Sequence, residues 1–135
     1  MSNLYNFLTD DTMKIPPCIT VMDPDLLEYV PGQHLTLSFP VKNFYLNGGN
    51  VMQGGFIGAA FDNVFGIFVF LEKQHVNMST IDLQINYHHP LLPEDKLVIK
   101  AYLKHSGKTI VHINAEGFNK DGVLAATAST NIILR

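Results

Sequence analysis

The chain has 135 residues, of which 47% are hydrophobic and only 16% are charged. This length and composition indicate one folded domain with a single core and exclude a disordered, solvating chain. The formal net charge is −3 and no basic stretch offsets it, which argues against nucleic acid as a partner.

The first part of the chain, residues 1–32, is the least regular and contains four of the seven prolines. We predict a short helix over residues 4–9 and a further helical turn that begins at Pro24. We interpret residues 1–32 as a lead-in segment that packs on the domain, and residues 33–135 as the domain itself.

A strand is predicted over residues 33–41, because hydrophobic and polar residues alternate there. Pro40 has no N–H to donate to a neighbouring strand, so it marks a strand end or a sheet edge. A glycine-rich turn over residues 46–50 follows.

A long helix is predicted over residues 54–73, with apolar side chains on every face, which is typical of a core helix. Phe, Val and Ile also favour strands, so periodicity alone would allow two strands here, but the length and the Gly and Ala content favour a helix. Its most apolar part, residues 56–71, contains Asp62 and Asn63 and is shorter than the about 20 apolar residues of a membrane span. We therefore predict no membrane span.

Four strands are predicted after the helix, over residues 80–87, 97–104, 109–118 and 123–134. Residues 105–108 and 119–122 are predicted hairpin turns, and the second contains an Asp-Gly pair that suits positive φ angles. This order predicts an α+β fold, in which a four-stranded antiparallel meander follows the helix and the helix lies on one face of the sheet.

Asp62 is a candidate catalytic residue because it lies within the most apolar stretch of the chain. An ionised carboxylate in such surroundings is costly unless other groups satisfy it. Carboxylates held in this way are frequent at active sites. The alternative interpretation is a structural role, as an internal cap or a hydrogen bond to a loop.

Glycines at positions 48, 49, 54 and 55 lie in the turn and at the start of the predicted helix. Free N–H groups at a helix start, together with the helix dipole, can hold a developing negative charge such as an acyl oxyanion. The alternative is a glycine-rich turn that only fits the helix against the sheet.

Asp62 and Gly54 are too far apart on one helix to touch the same carbonyl, since eight residues span roughly 12 Å along the axis. In a two-fold dimer with antiparallel helices, the helix start of one chain could lie beside Asp62 of the other. Two identical sites would then form at the interface.

The order Asn47, five residues, Gln53-Gly54-Gly55, six residues, Asp62 resembles the signature of hotdog-fold acyl-CoA thioesterases of the phenylacetate-pathway and thioesterase-superfamily-member type. In that family the pattern is Asn, five residues, His-Gly-Gly, six residues, Asp. The similarity covers about residues 33–134. It implies a hotdog fold, in which an antiparallel β-sheet wraps around one long central helix.

The resemblance implies a role for each matching residue in the hydrolysis of an acyl-CoA to free acid and CoA. Asp62 matches the catalytic carboxylate, which acts as nucleophile or as general base for water. Gly54 matches the glycine whose N–H polarises the thioester carbonyl, and Asn47 matches an asparagine that supports the carbonyl or orients the water. Thr80 matches a serine that positions the water, although a one-residue shift of register would exchange it with Ser79.

Gln53 departs from the family pattern, which has histidine at this position. Glutamine can position a group by hydrogen bonds, but it cannot transfer a proton near neutral pH. This leaves a non-catalytic acyl-thioester or lipid-binding hotdog protein as the alternative function. A hotdog dehydratase would need a histidine near the central helix, and none lies between His34 and His75.

Coenzyme A is negatively charged, so Lys104 and Lys108 are predicted to bind substrate. Gly55 is predicted to let the substrate approach the backbone closely. The expected partners are an acyl-CoA and further copies of the chain in a homodimer or homotetramer. No cofactor is expected, because CoA belongs to the substrate.

The chain is predicted to be cytoplasmic and to bind no metal. Cys18 is the only cysteine, so an internal disulfide is impossible, and residues 1–11 lack the basic start of a secretory signal. The six histidines show no spacing typical of metal ligands.

Overall fold

The computed structural model describes residues 15–74 and 77–135, together with Leu4 and Leu8. The predicted helix over residues 4–9 lies outside the described residues except at these two leucines, which are helical and buried.

The described residues form one sheet of six strands and one long helix. The strands are β1 (Asp25–Val30), β2 (His34–Pro40), β3 (Met78–Tyr87), β4 (Lys96–Ser106), β5 (Ile110–Phe118) and β6 (Leu124–Leu134). The helices are the single turn α1 (Pro17–Thr20), a 3₁₀ turn (Asn43–Tyr45) and α2 (Gly54–Lys73). The sheet order is β1-β2-β4-β5-β6-β3, and every neighbouring pair is antiparallel.

The long helix α2 begins and ends at the predicted residues, 54 and 73. Gln53 precedes it with an extended backbone, and Gln74 ends it in the left-handed conformation, with a φ of 53°. By length and mean hydropathy, 1.7 over its most apolar window, α2 could cross a membrane, but half of that window is buried inside the chain. Burial in the core is the ordinary reason for an apolar helix in a folded domain.

Only one side of α2 is covered by the sheet. Phe61 and Phe65 are fully buried, whereas Gly55, Ala59 and Asp62 are exposed on the other side. The prediction that α2 is buried on every face is therefore wrong for the single chain. Successive side chains of a helix are rotated by about 100°, so Asp62 lies on the exposed side although its neighbour Phe61 points toward the sheet. The number of apolar residues along the sequence does not show this difference.

The sheet presents a hydrophobic side to α2 because alternate residues of each strand point the same way. The buried residues of three neighbouring interior strands include Leu35, Leu37 and Phe39 of β2, Leu97 and Ile99 of β4, and Val111 and Ile113 of β5. Full burial of each such side chain stabilises the fold by roughly 1.5–3 kcal/mol.

Two predictions about the strands are wrong. Residues 25–30 form strand β1, which pairs with β2, where a helical turn was predicted from Pro24. Strand β3 pairs with β6 at the far edge of the sheet, so only β4, β5 and β6 form a meander. Alternation tells which side of a sheet a residue faces, but it does not identify the neighbouring strand.

Two details of the strands agree with the predictions. Pro40 is the last residue of β2, and Gly122 in the β5–β6 turn has a φ of 82°. The boundary at residue 33 between lead-in and domain stays a prediction. Strand β1 lies before this boundary and pairs with β2 in the same sheet.

Tyr45, the last residue of the 3₁₀ turn, is fully buried, and its hydroxyl has no hydrogen-bond partner among the described residues. Burial, and to a smaller extent the charge of Asp23, raises the pKa of Tyr45 to about 12. The pKa of Tyr45 is higher in the folded chain than in the unfolded chain. The free energy of unfolding is therefore unaffected by this group below about pH 10 and falls as the pH rises from about 10 to 12.

We predict that Tyr45→Phe has an unfolding free energy at pH 7 that equals the wild-type value or exceeds it by up to about 2 kcal/mol, because a buried hydroxyl without a partner is removed. At pH 11 the advantage of the variant should grow by about 1 kcal/mol, since phenylalanine cannot ionise. Urea unfolding of both proteins at the two pH values measures this. A loss of stability at pH 7 would mean that the hydroxyl has a partner.

Candidate active site

The start of α2 presents two backbone N–H groups that have no hydrogen-bond acceptor within the helix. Gly54 and Gly55 are the first two residues of the helix, and their N–H groups precede the first intrahelical bonds. The Gln53 carbonyl accepts hydrogen bonds from the N–H groups of Phe56 and Ile57, at 3.0 and 3.1 Å. These bonds fix the first turn, so the positive end of the helix dipole is held in one orientation.

The backbone of Gly54 lies directly against Tyr87, the last residue of β3. The Tyr87 hydroxyl donates a hydrogen bond of 2.7 Å to the Gly54 carbonyl. A Cβ atom at Gly54 would lie 3.0 Å from the Tyr87 ring, closer than such contacts normally come. Glycine therefore permits the approach of the strand end to the helix start.

Asn47 shapes the loop that leads to the helix. Its side-chain oxygen accepts hydrogen bonds from the N–H groups of Gly49, at 2.9 Å, and Val51, at 3.4 Å. The loop is closed by a bridge between Leu46 and Met52. The Asn47 oxygen is thus used within the loop, and only its NH₂ group is left to point toward a ligand.

Asp62 lies about two turns into α2, on its exposed side. The expectation of a buried carboxylate is wrong for the single chain, because the sheet does not cover this side. The Thr80 hydroxyl of β3 donates a hydrogen bond of 3.1 Å to Asp62 Oδ1. Ser79 points elsewhere and accepts a hydrogen bond of 3.3 Å from Arg135 Nε. Of the two candidates, Thr80 is the one that contacts the carboxylate.

A groove of about 330 Å³ opens beside Asp62, between α2 and the segment around α1. Its lining is largely apolar and consists of Leu8, Pro16, Cys18, Ile19, Asp62, Asn63, Gly66, Ile67, Phe70 and Met78. Asn63 Nδ2 donates a hydrogen bond of 2.8 Å to the Cys18 carbonyl, which fastens the outer wall to the helix. An ionisable oxygen at the mouth of an apolar groove suits a substrate with an apolar part and a reactive polar group.

A family model of the thioesterase superfamily matches residues 47–126, more than half of the chain. The chain belongs to the thioesterase superfamily. The matched range contains both the helix start at Gly54 and the contact between Asp62 and Thr80. Among curated proteins, none matches this thioesterase-superfamily chain significantly.

Solved structures confirm the predicted hotdog fold of this thioesterase-superfamily member. The PaaI protein of the E. coli phenylacetic acid degradation operon has a TM-score of 0.80 and 19% identity, with 99% of this chain and 91% of that chain covered. A hypothetical thioesterase of Streptococcus pneumoniae TIGR4, solved with coenzyme A, has a TM-score of 0.75 and 22% identity over 84% of this chain and 86% of that one. A protein of Streptococcus mutans UA159 bound to acetyl CoA has a TM-score of 0.78 and 19% identity, over 93% and 94% of the two chains.

The predicted lysines are not close to the start of α2 within one chain. Lys104 lies on the side of the sheet that faces away from α2, where it lines a polar cavity with Tyr102 and Glu116. Lys108 is exposed in the turn between β4 and β5. That turn contacts the other end of the helix, since Lys73 Nζ donates a hydrogen bond of 3.1 Å to the Gly107 carbonyl. Their role in binding CoA stays a prediction.

Gln53 and Gly55 lie together at the helix start, and both are exposed. The Gln53 side chain forms no capping hydrogen bond, and its Oε1 lies 3.6 Å from the position that a Cβ of Gly55 would occupy. Within the described part of the chain, no group of three His, Cys, Asp or Glu residues could hold a metal ion.

Two features of the site were missing from the sequence prediction. Neither Tyr87 nor Asn63 was predicted to belong to the site. Each acts through a hydrogen bond to a main-chain carbonyl, and such a bond depends on how distant segments meet in space. Neither residue type carries a local sequence signal for such a contact.

Proposed function

We propose that this member of the thioesterase superfamily is an acyl-CoA thioesterase, in which Asp62 is the general base or the nucleophile. The observation that carries the proposal is the hydrogen bond from Thr80 to Asp62 Oδ1 at the mouth of the apolar groove. Family membership supports thioester hydrolysis. The acetyl CoA in the Streptococcus mutans structure supports an acyl-CoA substrate.

The carboxylate is arranged to act on the thioester in either of two ways. As a general base, Asp62 takes a proton from water while the water oxygen attacks the carbonyl carbon; the C–S bond then breaks and the CoA thiolate takes up the proton. As a nucleophile, Asp62 forms an anhydride as CoA leaves, and water then hydrolyses the anhydride. In both routes Thr80 holds Oδ1, which leaves Oδ2 to face the water or the carbonyl.

The complete site is proposed to form between two copies of the chain in a homodimer or homotetramer. Asp62 and the Gly54 N–H are separated by roughly 12 Å along one continuous helix, too far for a single carbonyl to touch both. A two-fold axis that sets two α2 helices antiparallel brings Asp62 of each chain toward the helix start of the other. The exposed side of α2 is the surface that such an arrangement would cover.

Gln53 is proposed to position the substrate or the water rather than to transfer a proton. Its place beside Gly54 and Gly55 supports this, because its amide can both donate and accept hydrogen bonds there. Its lack of a titratable group favours the alternative function, a protein that binds acyl thioesters without cleaving them.

A panel of acyl-CoAs tests the proposed function. The purified protein is mixed with saturated acyl-CoAs of different chain lengths and with phenylacetyl-CoA, and free thiol is followed with a thiol reagent. Release of thiol over many turnovers supports a hydrolase. Tight binding, measured by calorimetry, without thiol release would support the alternative.

Gly66 is predicted to set the space available to the acyl chain. It lies one turn after Asp62 and lines the groove, and a Cβ at this position would meet nothing within 4 Å. Gly66→Leu should lower kcat/KM for a ten-carbon acyl-CoA by roughly 10-fold or more, because several methylene groups lose their burial. Acetyl-CoA should be affected about 2-fold at most.

Gly66→Ala is the matched control, since it replaces the same helical glycine with the smallest side chain. It should leave the chain-length preference close to that of the wild type and raise stability by up to about 1 kcal/mol. An equal loss for all chain lengths in Gly66→Leu would place the acyl chain outside this groove.

A further inference from the structure

Tyr87 connects the end of β3 to the first peptide of α2. Its hydroxyl donates a hydrogen bond of 2.7 Å to the Gly54 carbonyl, and its ring lies 3.0 Å from the position that a Cβ of Gly54 would occupy. The side chain is nevertheless 54% exposed, so it contributes little to the core. A large side chain held by one short hydrogen bond at a proposed active site calls for a role beyond packing.

The hydrogen bond from Tyr87 adds to the helical bonding that sets the direction of the Gly54 carbonyl, and with it the direction of the Gly55 N–H. The two groups belong to one planar trans peptide, in which C=O and N–H point in opposite directions. In the preceding peptide, the Gln53 carbonyl is held by the N–H groups of Phe56 and Ile57, which sets the direction of the Gly54 N–H in the same way. Both donors at the helix start are therefore fixed by bonds to their carbonyl partners.

We propose that Tyr87 is a positioning residue for the oxyanion: it holds the Gly55 N–H as a second donor beside the Gly54 N–H. This inference rests on the proposed thioester hydrolysis. A donor that is already oriented stabilises the charge of the transition state without a cost of reorganisation. A hydrogen bond accepted by the carbonyl also polarises the peptide, which strengthens its N–H as a donor.

Tyr87→Phe is the test, because it removes the hydroxyl and keeps the ring. Loss of one hydrogen bond of this kind should lower kcat for acyl-CoA hydrolysis by roughly 3- to 10-fold. KM should stay within about 2-fold, because the donor acts mainly on the charge that develops in the transition state. The melting temperature should change by no more than about 3 °C, since the bond is solvent-exposed.

Tyr102→Phe is the matched control. Tyr102 also donates its hydroxyl to a single acceptor, Glu116 Oε1 at 3.2 Å, but it does so on the side of the sheet that faces away from α2. This variant should keep the wild-type kcat. The comparison separates the loss of one tyrosine hydroxyl from the loss of the hydroxyl at the helix start.

Amide NMR gives a readout that does not depend on activity. In Tyr87→Phe the Gly55 amide proton should shift, while amides in the middle of α2 stay in place. An unmoved Gly55 resonance, or an unchanged kcat in an active enzyme, would overturn the positioning role alone. A wild-type protein that releases no thiol from any acyl-CoA would overturn the proposed function and this role with it, even if the Gly55 resonance moves.

Discussion

Asp62→Asn is expected to lower kcat for acyl-CoA hydrolysis by about 10²-fold or more, with a much smaller change in KM. Asparagine keeps the shape of aspartate, and its side-chain oxygen can still accept the hydrogen bond from Thr80. It can neither take a proton from water nor form an anhydride. Steady-state thiol release at saturating substrate measures the effect.

The matched control is Asp121→Asn, which removes one negative charge from an exposed site in the β5–β6 turn. It should keep the wild-type turnover, so a general effect of net charge is separated from the effect at Asp62. Stability provides a second control, because an unfolding free energy within about 0.5 kcal/mol of the wild-type value excludes loss of folded protein as the cause of a lower kcat. Wild-type turnover in Asp62→Asn would remove this carboxylate from the mechanism.

The sequence predicted α2 and the strands β2 to β6 because their signals are local, whereas β1 was predicted as a helical turn. The bounds of α2 follow from a glycine pair at its start and a change of hydrophobic period after residue 73. The sheet order could not be predicted in the same way. Pairing of β3 with β6 joins residues such as Met78 and Leu134, and nothing in either strand identifies the other.

The sequence predicted one contact of the candidate site, but not the residues that surround it. The spacing of the motif and the resemblance to the family identified Asp62 and Thr80, and the structure joins them by a hydrogen bond across 18 residues of sequence. The exposure of Asp62 was missed because burial on a helix depends on angular position as well as on apolar neighbours. The contact of Tyr87 with the helix start was not predicted because its acceptor is a backbone carbonyl, which every residue carries.

Gly54→Pro is the variant that removes one of the two proposed donors and preserves the helix. Proline has no N–H, and it is favoured at the first position of a helix, which Gly54 occupies. The preceding Gln53 has φ −62° and ψ 140°, the extended conformation that a residue before proline prefers. To admit a Cβ at this position, the Tyr87 ring, now 3.0 Å away, must move by a few tenths of an ångström. We expect a folded protein whose kcat is lower by about 10²-fold.

Mixed dimers of Gly54→Pro and Asp62→Asn chains are expected to recover about half of the wild-type turnover per dimer. In such a dimer one site combines the intact Gly54 of one chain with the intact Asp62 of the other, while the second site carries both defects. Coexpression of the two chains with different tags and purification through both tags isolates this species. Turnover as low as that of the single variants would mean that the two groups do not meet across the interface.

A second mixture controls for poor assembly of the two defective chains, because it contains one wild-type chain. A chain that carries both substitutions is paired with a wild-type chain and purified in the same way. If each site takes Gly54 from one chain and Asp62 from the other, both sites are then defective, and turnover should fall to about 1% of wild type. If each chain holds its own complete site, the wild-type chain keeps about half of the activity. The two mixtures contain the same substitutions, distributed differently between the two chains. A high turnover in the first mixture and a low turnover in the second therefore mean that each site takes Gly54 from one chain and Asp62 from the other.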